Sequence, residues 1–165
     1  MSELRNRMLR DMTVRGLAPR TYRIDVETGR QEKFCDFSGV LSRDGTQFAY
    51  RGPEGRLYLQ PLDGGAPRVI GTLQKLAGSS PEIPIRWSLD GTAIYLSTTI
   101  DTLRGYAIDR LDLSTHRRTP WKRLRLDAFA RAMGPGVVVA PEVDAYAYSY
   151  TQLQASDLFV VKGLR

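Results

Sequence analysis

Residues 41–70, LSRDGTQFAYRGPEGRLYLQPLDGGAPRVI, alternate turn formers with short apolar runs. Ser42-Arg43-Asp44-Gly45 reads as a turn, and residues 47–51 carry the apolar centre Phe48-Ala49-Tyr50. Gly52-Pro53-Glu54-Gly55 is a second turn, Leu57-Tyr58-Leu59 a second apolar run, and residues 62–67 a third turn before Arg68-Val69-Ile70. Glycine and aspartate tolerate the positive φ that tight turns demand, and proline presets φ for the corner. Aromatic and β-branched residues between such turns are the strand signal. The stretch is a small antiparallel sheet written in chain order.

The same plan returns twice. Residues 42–50 align with 88–96, 46 residues on, and with 140–148, a further 52 on. In the third copy Asp-Gly has become Glu142-Val143, which predicts altered turn geometry. Further apolar runs follow at 57–59, 106–113 and 158–161. A period of about 40–50 residues with four short strands per unit is the signature of a β-propeller blade. Phe48-Ala49-Tyr50, Ile94-Tyr95-Leu96 and Tyr146-Ala147-Tyr148 are apolar on both faces, whereas a sheet with one wet face alternates. A blade sandwiched between neighbours is buried on both sides, and a β-sandwich core would need fewer such runs.

Upstream, residues 22–26, the turn 27–30 and residues 31–34 form a hairpin with a later counterpart at 109–122. Both place an aspartate before a threonine-bearing turn, so 22–34 reads as the outer half of a repeat entered midway. Between units, Leu126, Phe129, Ala130 and Met133 stand at helical spacing before Gly134-Pro135, which fits a short helix or an irregular loop. The predicted fold is all-β. Residues 22–165 form a partial propeller of about three four-stranded antiparallel blades, with strands near 22–35, 39–72, 83–122 and 136–162. Residues 1–21 form one N-terminal basic amphipathic α-helix, in which Ser2 caps a stripe of Leu4, Met8, Leu9 and Met12 and Gly16 with Pro19 stops it.

Composition narrows the class. The chain has 165 residues, 42% hydrophobic and 25% charged, the balance of a globular domain rather than a disordered one. No apolar run approaches the roughly 20 residues of a membrane span. The opening MSELRNRMLRDM has no apolar leader core, so a cytoplasmic location is expected for the sequence as written. Cys35 is alone, which excludes an internal disulfide and a cysteine-cluster metal site. The net charge is +6, concentrated in six arginines within residues 1–23 and in Arg117, Arg118, Lys122, Arg123 and Arg125. Such clusters attract nucleic acid or an anionic membrane, or simply form a solvated surface.

Two family resemblances follow from particular words. Arg15-Gly16-Leu17-Ala18-Pro19-Arg20-Thr21 closes an opening that resembles the first helix of the SAM-like N-terminal domain of tyrosine recombinases and integrases. That likeness covers about 22 residues, and neither the remaining helices nor the catalytic motifs follow. Residues 22–165 resemble the C-terminal blades of a TolB-like six-bladed propeller, of the type attached to bacterial serine/threonine kinases. The likeness is carried by Ser42-Arg43-Asp44-Gly45, Gly55-Arg56-Leu57-Tyr58, Ile85-Arg86-Trp87-Ser88-Leu89-Asp90-Gly91 and Arg110-Leu111-Asp112-Leu113-Ser114-Thr115. It ends on Ser156-Asp157-Leu158-Phe159-Val160-Val161-Lys162-Gly163. The resemblance implies a non-enzymatic propeller whose relatives are often extracytoplasmic. Kinase chemistry is not implied, because the glycine-rich loop, His-Arg-Asp and Asp-Phe-Gly motifs are missing.

No catalytic, cofactor-binding or metal-binding residue is predicted. His116, the single histidine, sits in a turn between Thr115 and Arg117, where a Ser-His-Asp triad has no support. Asp44 and Asp90 lack the alternating oxygen ligands of a calcium loop and read as turn formers. Trp87 and Trp121 are expected to pack between blades, Tyr146, Tyr148 and Tyr150 to share one strand face, and Cys35 to be a buried strand-end residue with no redox task. The expected function is a protein-interaction module that meets a protein partner through loops beside the turns 42–46 and 88–92. Self-association through unpaired blades is a further expectation, as is origin as a truncated or fused remnant of a larger propeller protein. The alternative is a DNA-binding protein using the Arg-rich N-terminal helix, although nucleic acid is the lesser expectation.

Overall fold

Turn residues punctuate this chain at short intervals, and the strands lie between them. The computed structural model describes residues 7–10, 21–75, 79–100, 105–126, 130–140 and 145–152. Thirteen strands are found there: β1 (Arg7–Arg10), β2 (Thr21–Ile24), β3 (Gln31–Cys35), β4 (Gly39–Leu41), β5 (Gln47–Arg51), β6 (Arg56–Pro61), β7 (Arg68–Thr72), β8 (Ile83–Trp87), β9 (Ala93–Ile100), β10 (Gly105–Asp112), β11 (Arg118–Leu124), β12 (Ala130–Val139) and β13 (Tyr146–Gln152). They pair antiparallel in four sheets, β1-β2-β3, β4-β5-β6-β7, β8-β9-β10-β11 and β12-β13. The second and third sheets are complete four-stranded meanders over residues 39–72 and 83–124, and β2 and β3 form a hairpin over 21–35.

The sheets stack face to face. Alternate residues of β9 and β10 point to opposite sides, so Ile94, Leu96 and Leu111 meet Ala49, Leu57, Leu59 and Ile70 of the second sheet in one core. Tyr95, Tyr106 and Ile108 meet Val137 and Val139 of the fourth sheet in another. Each fully buried aliphatic side chain there contributes about 1.5–3 kcal/mol. The opposite face of the second sheet meets the first through aromatic rings. Phe37 stacks on Tyr50 and Tyr50 on Tyr58, with centroids 5.2 and 5.3 Å apart, while Phe34 meets Phe48 edge-on. The two-faced apolar runs at 48–50 and 94–96 therefore arise from burial on both sides, whereas the run at 146–148 leaves Tyr146 and Tyr148 exposed. First strands β4, β8 and β12 lie next to one another, as the innermost strands of successive propeller blades do.

Three expectations are corrected or left outside the described residues. The N-terminal helix is not what Arg7–Arg10 forms: that segment is a strand paired with Thr21–Ile24, Met8 opposite Arg23 and Leu9 opposite Tyr22. Completing a sheet edge satisfies its backbone in place of helical bonds, and the rest of residues 1–20 lies outside the described residues. The proposed helix or loop before Gly134-Pro135 is instead the start of β12, which tolerates that pair through a register shift between Ala132 and Val137. Of the three strands expected at 136–162, two are seen as β12 and β13, and residues 153–165 lie outside the described residues.

Candidate functional site

The repeated Ser-x-Asp-Gly-Thr phrase builds one turn twice. In the first, Ser42 Oγ donates to Asp44 Oδ1 at 2.6 Å, Thr46 N and Oγ1 donate to the two carboxylate oxygens at 3.1 and 2.9 Å, and Gln47 N donates to Ser42 Oγ at 2.9 Å. In the second, Ser88, Asp90, Thr92 and Ala93 repeat those bonds at 2.6, 3.0, 2.8 and 2.9 Å. Gly45 and Gly91 occupy the left-handed corner at φ +73° and +70°. The main-chain bond that closes each turn, Ser42 N to Gln47 O and Ser88 N to Ala93 O, recurs as Ala140 N to Ala145 O. Residues 141–144 of the third copy, where altered turn geometry is expected, lie outside the described residues.

These bonds set the charge state of the turns. The Ser88 hydroxyl, then the Thr92 amide and hydroxyl, hold Asp90 down to about 2, and Asp44 is lowered for the same reason, led by Ser42. A carboxyl depressed in the folded state stabilises above its ordinary value of 3.8 and loses that contribution as pH falls towards about 2. Asp90→Asn is therefore expected to flatten the stability profile of the chain between those values. Acid titration followed by circular dichroism checks it, and an unchanged slope would remove Asp90 from the acid limb.

The outer turns repeat as well. Asp25 Oδ1 accepts from Thr28 N at 2.8 Å, and Asp112 Oδ1 from Thr115 N at 2.9 Å. Both carboxyls are lowered, chiefly by those amides. Gly29 stands at φ +70° in the first turn and His116 at φ +56° in the second. His116 is thus an exposed side chain in a glycine position. A left-handed non-glycine residue costs about 1–2 kcal/mol, part of which glycine gives back through its freer unfolded chain. His116→Gly is expected to gain about 0.5 kcal/mol in urea unfolding. A loss of stability would mean that the imidazole makes a bond of its own.

Between the twin turns lies a cleft of about 410 Å³ walled by Ser42, Asp44, Thr46 and Asp90. It shares Arg43, Trp87 and Leu89 with a second cleft of about 640 Å³ that runs along β4 and β8 past Val40 and Arg86. The two make one groove from the turn side of the sheets down the innermost strands. Trp87, only 6% exposed, forms its floor and donates Nε1–H to Val40 O at 3.0 Å, tying the two sheets. Leu89 stands 44% exposed on the rim beside the exposed Arg43. Arg86 reaches across to the fourth sheet, Nη1 donating to Val139 O at 2.5 Å.

Sequence reasoning missed the polar ties between sheets. Glu82, held between Pro81 and Pro84, is buried and accepts two bonds from Arg118 Nη1 at 2.6 and 2.8 Å and one from Gln74 N at 2.8 Å. Arg118 Nη2 also donates to Thr72 O at 2.6 Å. Arg123 pairs with Asp109 at 2.8 Å, and Lys122 lies 5.9 Å from the centroids of both Trp121 and Tyr146. Three of the five cations in the 117–125 cluster therefore have structural partners rather than forming a free basic face. Asp44 and Asp90 are turn formers, as predicted, and Trp87 packs between sheets, as predicted. Trp121 meets Tyr95 edge-on against the second core, and Tyr146 stacks with Tyr148 on a shared face. Cys35 is half-buried and donates to Phe37 O at 3.2 Å, and burial pushes its thiol up. Among the described residues, no group of three or more His, Cys, Asp and Glu could hold a metal ion, and no helix is long and apolar enough to cross a membrane.

No family model matches the chain, and no curated protein matches it. Among solved structures, an oligogalacturonate lyase in complex with manganese superposes at a TM-score of 0.44 and 19% identity, over 74% of this chain and 36% of that one. The chain spans about a third of that protein's length, and a likeness at this level assigns no activity.

Proposed function

We propose that this chain is a non-catalytic segment of a TolB-like β-propeller that serves as a protein-interaction module, its partner docking on the groove between the second and third sheets. The observation that carries this reading is the groove itself. Its walls are two turns locked by their own side chains, its floor is a buried tryptophan, and its rim offers an apolar residue, Leu89, and a cation, Arg43. Rigid concave surfaces with exposed apolar anchors are what protein partners use. Val138, Tyr146 and Tyr148, exposed by 68, 40 and 42%, support self-association through the fourth sheet as an accompanying property.

The DNA-binding alternative rested on a helix, and Arg7–Arg10 is a strand, so nothing in the described residues favours it. The interaction reading is tested by a photo-reactive amino acid at position 89, in the groove, and at position 69, on an exposed edge strand away from it. Cross-linking in the source cell is expected to give a discrete protein adduct from position 89 alone. Adducts from 69 only, or turnover of a substrate by the purified chain, would overturn it.

A further inference from the structure

Of the arginines elsewhere in the described residues, Arg23 pairs with Glu32, Arg56 with Glu54, Arg110 with Asp112, Arg118 with Glu82 and Arg123 with Asp109, while Arg30, Arg51, Arg68, Arg117 and Arg125 have no ion pair among the described residues. The two that face the groove, Arg43 and Arg86, have no ion pair among the described residues. Arg86 is held in place by its bond to Val139 O, yet its Nε is buried with no acceptor. Arg51 Nε is in the same state but lines neither part of the groove. Asp44 and Asp90, the carboxylates bordering the groove, are engaged by Ser and Thr donors of their own turns and sit at its turn end. The strand end, along Val40, Leu41 and Ile85, is lined by Arg43 and Arg86 and by no acidic side chain.

We infer that the strand end of the groove receives an extended segment of a partner protein through a carboxylate that Arg86 and Arg43 bind, beside the apolar floor of Trp87 and Val40. This rests on the interaction-module reading and names the chemistry of the partner. Guanidinium and carboxylate match in shape and charge, and their hydrogen bonds are about twice as strong as neutral ones. The segment's acidic residue lies towards β8 and β12, and its apolar residue lies under Leu89.

The test is selection of a random heptapeptide library on the immobilised chain, with parallel selections on Arg86→Met and Arg43→Ala. The wild-type pool is expected to hold Asp and Glu at about threefold or more over the pool selected on Arg86→Met, the scale of one lost charged hydrogen bond in a solvated groove. Arg43 is exposed, so Arg43→Ala leaves the fold intact and is expected to lose part of the same enrichment. Leu89→Asp is expected to abolish binding of the selected peptides. Binders without acidic enrichment, or enrichment that survives both arginine changes, would overturn the carboxylate site while leaving the module reading in place. A library that yields no binder on any form would overturn both. Displacement of the peptides by a short single-stranded oligonucleotide would put a phosphate backbone in the groove and likewise overturn the assignment.

Discussion

Trp87→Ala is expected to cost about 3–5 kcal/mol, the range for truncating a buried aromatic residue. Trp87 belongs to the core shared by the second and third sheets, and its indole N–H is bonded to Val40 O at 3.0 Å. Truncation opens a cavity between the two sheets and leaves that carbonyl without its donor. Trp87→Phe keeps most of the volume and loses the bond, so about 1–2 kcal/mol is expected. Urea unfolding followed by the remaining Trp121 checks both, since that ring sits at the other core. Domains of this size have about 5–15 kcal/mol in total, so the alanine change approaches the whole margin. A loss below about 1 kcal/mol for Trp87→Ala would show that the sheets do not depend on this contact.

Arg118→Met is the second large effect. It strands Glu82, whose side chain is 4% exposed, with only the Gln74 amide to meet its charge. Removing one partner of a buried pair costs about 3–5 kcal/mol, and the 21% exposure of Arg118 places this case at the lower end. Changing both residues to methionine removes the stranded charge, so the double variant is expected to recover at least about half of that loss. A double-mutant cycle by thermal unfolding measures the coupling. A double variant less stable than Arg118→Met would mean that the backbone bonds to Thr72 and Gln74, rather than the charge, dominate.

The turns were the legible part of this fold, because their information is local. Ser42 to Gln47 and Ser88 to Ala93 make their bonds within five residues, so six letters carry the geometry. The matched hairpins at 25–30 and 112–117 were readable for the same reason, whereas the left-handed backbone of His116, where glycine stands in the other copy, was not. The misread segments depend on distant partners. Met8, Leu9 and Met12 have helical spacing, yet residues 7–10 follow the free edge of Thr21–Ile24. Gly134-Pro135 signals a stop, yet β12 runs through it beside Tyr146–Gln152. Glu82 gives no periodic signal between two prolines, and its partner lies 36 residues away. The groove was half legible: its turns were expected at a partner surface, but Arg86 reaching β12 was not.

The closure of the twin turns within five residues also bears on how the chain acquires its structure. Each four-stranded sheet is a meander in which every strand pairs with its sequence neighbour, so loop closure demands little entropy before contacts form. The turns at 42–46 and 88–92 supply nuclei that need nothing from the adjoining sheet. Substitutions of Ser42, Asp44, Ser88 or Asp90 should therefore slow folding, whereas Trp87 and Arg118, which join finished sheets, should chiefly hasten unfolding. The expected order of assembly runs along the chain, sheet by sheet, with docking last.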